Sequence, residues 1–330
     1  MKKITTISLS ALAAAAVLTL AACGGGGDGG SSTTPSNNTG GTPPTSGNSG
    51  DVTPSQYPSN SMQASAFALL NQQRQACGLP AVVENTLLDQ AAQAHAQYLG
   101  TNSVISDTES NGNTGFTGTT YADRAAHFGY ANSVNNVTGV SAGYYTNATL
   151  TDEQYGQQLV YQWMSGVYHI AVASWPVTSI GIGMNKTAFN GFPQIQGSLS
   201  LANLKAAISN GPLTFPCQGT TGVAYKAAGE SPVPPNTAGA WGTPVAVVGN
   251  PTDTITLQSG TMTDNSGNVI SLLLLNSTSD PNKLLPKFEG VAYPATPLAP
   301  NTPYSVSITG TINGTAFSRN FTFTTGSIVG

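Results

Sequence analysis

The sequence predicts an α+β chain in two folded parts, a helix-rich part holding a small sheet and then an all-β part. Three observations carry this. Leu87, Leu88, Ala91, Ala92, His95, Tyr98 and Leu99 recur at spacings of three and four, the period of an amphipathic helix. Pro232, Pro234 and Pro235 mark a break beyond which that period vanishes. Tyr304, Val306 and Ile308 then alternate with Ser305, Ser307 and Thr309 ahead of Asn313-Gly314, a strong hairpin signal.

Before either part comes an export signal. Lys2 and Lys3 precede an apolar stretch from Ile7 to Leu20, and Leu20-Ala21-Ala22-Cys23 reads as a bacterial lipobox. Residues 1–22 are therefore expected to be removed, leaving Cys23 acylated, with a palmitate-type chain among the lipids; the alternative is an ordinary secretory signal with Cys23 free. The apolar stretch is shorter than the ~20 residues a bilayer crossing needs, so the expectation is an anchored chain, not a spanning one. Gly24 stands where an inner-membrane retention signal carries Asp, which favours the outer membrane or the cell surface.

Residues 23–58 are the lipidated cysteine and a run dominated by Gly, Ser, Thr, Asn and Pro, too poor in apolar surface to offset chain entropy and so expected to be a disordered tether. Without Lys2 and Lys3 the chain carries 8 basic against 14 acidic residues, a formal charge of −6. That charge argues against a nucleic-acid partner. Two cysteines remain once Cys23 is lipidated. In an oxidising compartment Cys77 and Cys217 read as one disulfide, with two unpaired buried thiols as the alternative.

The first folded part, 59–222, opens with a helical stripe of Ala64, Phe67, Leu69, Leu70, Arg74 and Cys77, stopped by Gly78 and Pro80. The second helix starts at Thr86-Leu87-Leu88-Asp89, which has a capping-box pattern, and ends at Gly100. A short helix covers Tyr121 to Phe128, and a fourth begins at Thr151-Asp152-Glu153-Gln154. Strands are expected over Ser179 to Met184 and Gln194 to Leu199, and helices around a small sheet make this part an α+β domain or a three-layer sandwich. Residues 223–236 form the Pro-rich linker. In 237–330, strands over Val245 to Val248, Thr254 to Leu257 and Val269 to Leu275 precede the terminal hairpin, a spacing that suggests an immunoglobulin-like sandwich.

Several strings in the first part match a known pattern in order and spacing: Leu70-Asn71-Gln72-Gln73-Arg74 before Cys77-Gly78-Leu79-Pro80; Ala91-Ala92 before His95-Ala96 and Tyr98-Leu99; Asp123-Arg124 before Gly129-Tyr130; Trp163-Met164-Ser165 before Tyr168-His169; and Ile180-Gly181-Ile182-Gly183. Over Ser61 to Thr220 the chain resembles the CAP superfamily, which includes cysteine-rich secretory proteins, insect antigen 5, plant pathogenesis-related proteins and bacterial relatives. Similarly, Leu298 to Gly326 resembles the closing strands of bacterial Ig-like modules.

The CAP resemblance implies an α-β-α sandwich. It also implies a central cleft in which two His and two acidic residues can hold a divalent metal such as zinc. His169 matches the second cleft His, although Ile170 replaces the Arg that usually follows. Asp107 stands where relatives show His, and Val137 to Ser141 offers no Glu where they show one. The expected site is therefore an altered cleft of His169, Asp107, Glu109 and Tyr168, with His169 and Asp107 as metal ligands if a metal binds at all. His95 reads as a packed structural histidine and His127 as a surface residue. The aromatic group of Tyr121, Tyr130, Tyr144, Tyr145, Tyr155, Tyr161, Tyr168 and Trp163 is divided between cleft and core, with Trp163 as a core anchor. The functional expectation is a lipid-anchored, non-catalytic binding module for a lipid, sterol or cell-wall ligand. The rivals are a metal-assisted hydrolase using His169 with Asp107 and Glu109, and an adhesive or structural protein acting through the sandwich.

Overall fold

The computed structural model describes residues 50–131 and 137–330. The lipobox, Cys23 and residues 24–49 of the expected tether lie outside the described residues; residues 50–58 are described, and Asp51–Val52 there form a strand paired with Asn85 and Glu84, not a disordered run. In chain order the elements are β1 (Asp51–Val52), α1 (Met62–Ala76), β2 (Val83–Asn85), α2 (Thr86–Asn102), α3 (Tyr121–His127), β3 (Thr138–Tyr145), α4 (Asp152–Trp163), α5 (Val167–Ala173), β4 (Val177–Phe189) and β5 (Phe192–Leu204). There follow β6 (Leu213–Phe215), β7 (Thr221–Val223), β8 (Ala227–Ala228), β9 (Ala240–Trp241), β10 (Val245–Val248), β11 (Ile255–Asp264), β12 (Val269–Ser271), β13 (Leu273–Asn276), β14 (Glu289–Tyr293), β15 (Pro303–Ile312) and β16 (Thr315–Thr325).

Caps fix the helices. The Ser61 side chain accepts the Ala64 N–H ahead of α1, and α4 carries the expected Thr151/Gln154 box. Thr120 and Asp123 form a second box on α3. On α2 the expected box does not form. Asn85 is the N-cap, accepting from the N–H groups of Leu87 and Leu88. Asp89 instead turns to the sheet, accepting from the Ile182 N–H at 2.9 Å and from the Tyr57 hydroxyl.

The first sheet runs β1-β2-β4-β5-β3, antiparallel except for the β2–β4 pair. α2 lies on one face. It approaches so closely at Gly181 and Gly183 that an added Cβ would stand 2.1 Å from the backbone of Leu88 or Ala92. The other face is covered by α1 and α4, where Leu70, Leu159 and Trp163 are fully buried, each such apolar side chain contributing ~2 kcal/mol. This is the α-β-α sandwich expected for the first part.

The C-terminal part is mostly β, in two sheets consistent with an Ig-like sandwich: β13-β14-β10-β6 and β12-β11-β15-β16-β7. Asn313 and Gly314 turn the β15–β16 hairpin with φ of 52° and 81°, the left-handed region that such a tight turn requires. Two strands come from the chain before residue 224. β6 pairs with β10, and β7 pairs with β16 in parallel. One continuous apolar core runs from Leu70 and Trp163 through Val247 to Ile308 and Phe323. At the junction Ser174 Oγ and Trp175 Nε1 donate to Glu289 on β14 at 2.8 and 3.1 Å, and burial holds that carboxyl well above its usual range. A Cys77–Cys217 disulfide closes the first part, its Cα atoms 5.4 Å apart. Among the described residues no helix is long and apolar enough to cross a membrane.

Candidate functional site

β3 is the outer strand of its sheet, and a cleft of about 390 Å³ opens along its edge. Asp107 forms one wall. It sits in the loop that leaves α2 through Ser103, whose φ is 52°, and Arg124 holds the loop by donating to the Asp107 carbonyl at 2.9 Å. Asp107 Oδ1 accepts the Ser141 N–H and the Tyr121 hydroxyl, both at 2.8 Å. Burial, and after it the charge of Asp107, push the Tyr121 hydroxyl far above its usual range, so it stays a donor.

His169 forms the facing wall, in the first turn of α5. Gly166 supplies no side-chain cap there. Glu230 reaches in from the segment after β8 and does that work. Oε2 accepts the Val167 N–H at 2.7 Å and Oε1 those of Tyr168 and His169 at 2.9 Å. The same Oε1 lies 3.9 Å from His169 Nε2. Burial raises the Glu230 carboxyl above its usual range, opposed by His169 and the three N–H groups. Gln162 and Trp241 complete the walls, and among the described residues no Lys or Arg lines the cleft.

Two residues expected in the cleft point elsewhere. Glu109 is buried behind the Asp107 loop, with Oε1 2.8 Å from His95 Nδ1 and Oε2 accepting the Thr117 N–H at 2.6 Å. His95 is thus packed, its imidazole pKa lowered by burial and then by Arg124, while Glu109 and the Ser106 carbonyl pull the other way. Tyr168 turns into the junction between the two parts, where its hydroxyl donates to Asp280 and accepts from Asn282, both at 2.8 Å. Of the aromatic group, Tyr121, Tyr130, Tyr155, Tyr168 and Trp163 are buried and Tyr145 is exposed; none of the eight lines the cleft.

A metal does not fit these donors. Among the described residues no group of three or more His, Cys, Asp or Glu side chains is placed to hold an ion. Glu109 is committed to His95, and Glu230 to the α5 backbone. A separate cavity of about 440 Å³ lies over α2, between Tyr57, Asp89, Gln93 and Phe128. Among its lining side chains, Gln93 bonds both the N–H and the carbonyl of Met184.

Residues 67–195 match the family model for CAP, the cysteine-rich secretory protein family. The chain carries a CAP domain. No curated protein sequence matches the chain. Among solved structures, an outer surface protein of Borrelia burgdorferi is similar, with 17% identity and a TM-score of 0.33 over 43% of this chain and 92% of that one. Asp107 and His169 lie inside the matched CAP residues, whereas Glu230 and Trp241 lie beyond them. The CAP cleft is thus completed by chain from outside the family match. Sequence reading missed Glu230 because its task, accepting three backbone N–H groups 61 to 63 residues away, has no local motif.

Proposed function

We propose that this is a lipid-anchored protein of the bacterial envelope whose CAP cleft is a non-catalytic binding site for a polar ligand of the cell-wall class. The observation that carries this is the cleft wall itself. Asp107 and Glu230 are fixed by backbone N–H groups on either side of His169, with serines and Gln162 between them. Preorganised acceptors of this kind suit ligand hydroxyl and amide groups. A sterol or acyl chain calls for a deep apolar cavity, and carboxylates lining the wall oppose that. The metal-assisted hydrolase is disfavoured by the placement of Glu109, and adhesion through the sandwich alone leaves the cleft without a role. Anchoring rests on the lipobox.

The test is native mass spectrometry of the mature chain incubated separately with soluble cell-wall fragments, a sterol and a fatty acid. Retention of a wall fragment by the wild type and its loss in Asp107→Asn is expected. Retention of sterol or fatty acid instead would overturn the reading. For the anchor, Cys23→Ala is expected to move the protein from the membrane to the soluble fraction.

A further inference from the structure

The register of the first sheet fixes which backbone groups face the cleft. In an antiparallel ladder, residues alternate between bonding the neighbouring strand and pointing away from it. Ser141 pairs with Ser198 of β5, yet its N–H goes to Asp107. The odd-numbered residues of β3 therefore point outward. The far side of the sheet agrees: the N–H groups of Ile182 and Met184 on β4 leave the sheet for Asp89 and Gln93, which assigns the even-numbered residues of β3 to β5. Thr146, also even-numbered, donates inward to the Pro193 carbonyl at 3.0 Å.

Asp107 occupies the outward edge at Ser141. Beyond it, Gly143 and Tyr145 turn their N–H and C=O groups away from the sheet, and Gly143 lines the cleft. The two faces of this edge differ. On one, Ile105 lies against the Gly143 backbone, where an added Cβ would stand 2.3 Å from its Cδ1. Tyr145 follows on the same face, 59% exposed, its ring 5.0 Å from that of Phe189. On the other lie Gln162, His169 and Glu230. An exposed strand edge is a template for another strand, and its flanking faces select alternate side chains of whatever adds there.

The geometry points to an extended peptide as the ligand, added antiparallel or parallel to β3 at Gly143 and Tyr145, with apolar side chains toward Ile105 and Tyr145 and polar or basic ones toward Gln162 and Glu230. Charge complementarity supports the basic component, because Asp107 and Glu230 line the cleft and, among the described residues, no Lys or Arg does. The structure holds a miniature of such seating. Val329 bridges Lys226 in parallel, the Gly330 N–H donates to the Lys226 carbonyl at 2.8 Å, and Gly330 itself lines the cleft. This inference rests on the binding reading above and narrows it to the peptide portion of a wall ligand.

The test uses the full mature chain. A random heptapeptide library is panned against it, and a selected sequence is synthesised with N-methyl groups on alternate backbone nitrogens in two complementary sets. Strand addition predicts that one set binds at least tenfold more weakly and the other as well as the parent, because only alternate N–H groups face the protein. Tyr145→Pro, which removes an outward donor from an exposed position, is expected to weaken the parent peptide by a similar factor, with an unchanged thermal melt showing that the fold is retained. Equal binding of both methylated sets would overturn the proposal. So would the failure to select any peptide from a protein that still retains soluble wall fragments, an outcome that leaves the binding reading standing. If neither peptide nor wall fragment binds, both fall.

Discussion

His95 Nδ1 and Glu109 Oε1 lie 2.8 Å apart with both side chains fully buried, and this pair braces the loop that presents Asp107 to the cleft. Glu109 also accepts from Thr117 and Gly118 and lies 3.9 Å from Arg124 Nε. Removing the carboxylate strands His95 and Arg124 without their anion. Glu109→Ala is expected to cost about 3 kcal/mol, the scale for breaking a buried ionic pair. Denaturant titration measures it, and a loss below about 1 kcal/mol would mean the loop does not depend on the pair.

Asp89 gives a pH dependence with a defined sign. Burial pushes its carboxyl up to about 7, so the folded chain keeps the proton where the unfolded chain, with an ordinary value near 4, has released it. Its stabilising contribution is complete below about pH 4 and is lost as the pH rises to about 7 and beyond. The difference amounts to as much as about 4 kcal/mol. Stability curves of the wild type and Asp89→Asn measured at pH 5 and pH 8 should diverge, with Asp89→Asn gaining relative stability at pH 8. Parallel curves would contradict the assignment.

Glu230 acts as a cap borrowed from a distant segment. Glu230→Ala leaves the N–H groups of Val167, Tyr168 and His169 without their acceptor, which should cost about 2 kcal/mol, at the upper end for a lost cap. Glu230→Gln retains the shape and should recover part of the loss. Thermal melts of the two variants would separate these outcomes.

The disulfide joins residues 140 positions apart. By chain-entropy arguments a loop of that length contributes about 5 kcal/mol. The Cys77→Ser, Cys217→Ser double variant should therefore unfold at lower denaturant than the wild type. Adding reductant should bring the wild type down to the variant, whose own midpoint should not move.

Much of the fold was legible because it is written locally. The helical stripe through Leu88, Ala92 and Leu99, the Thr151/Gln154 box and the Asn313-Gly314 turn each depend on neighbours within a few residues. The α5 helix was not legible, since Val167 to Ala173 is short, apolar but for His169 and the Tyr168 hydroxyl, and capped by Glu230 from another part of the chain. β3 escaped for a similar reason: Gly139, Ser141 and Gly143 interrupt its alternation, yet the two glycines let Tyr121 and Ile105 come close. In the site, Asp107 and His169 were found because they occupy family positions and do face one cleft. The direction in which Glu109 and Tyr168 point is set by His95 and by Asp280, which lie 14 and 112 residues away, and no spacing rule reaches that far.

The two borrowed strands also impose an order on folding. β6 and β7 leave the first part early in the chain, but β6 waits for β10, and Val223 on β7 pairs with Thr325 almost at the end. A chain delivered N-terminus first completes its second sheet only at β14 and its third only when β16 has emerged. Pairings of such long sequence separation form slowly. The first sheet needs no residue beyond Leu204, so the late step falls on the third sheet alone, where the C-terminal hairpin is tied back to residues 221–223.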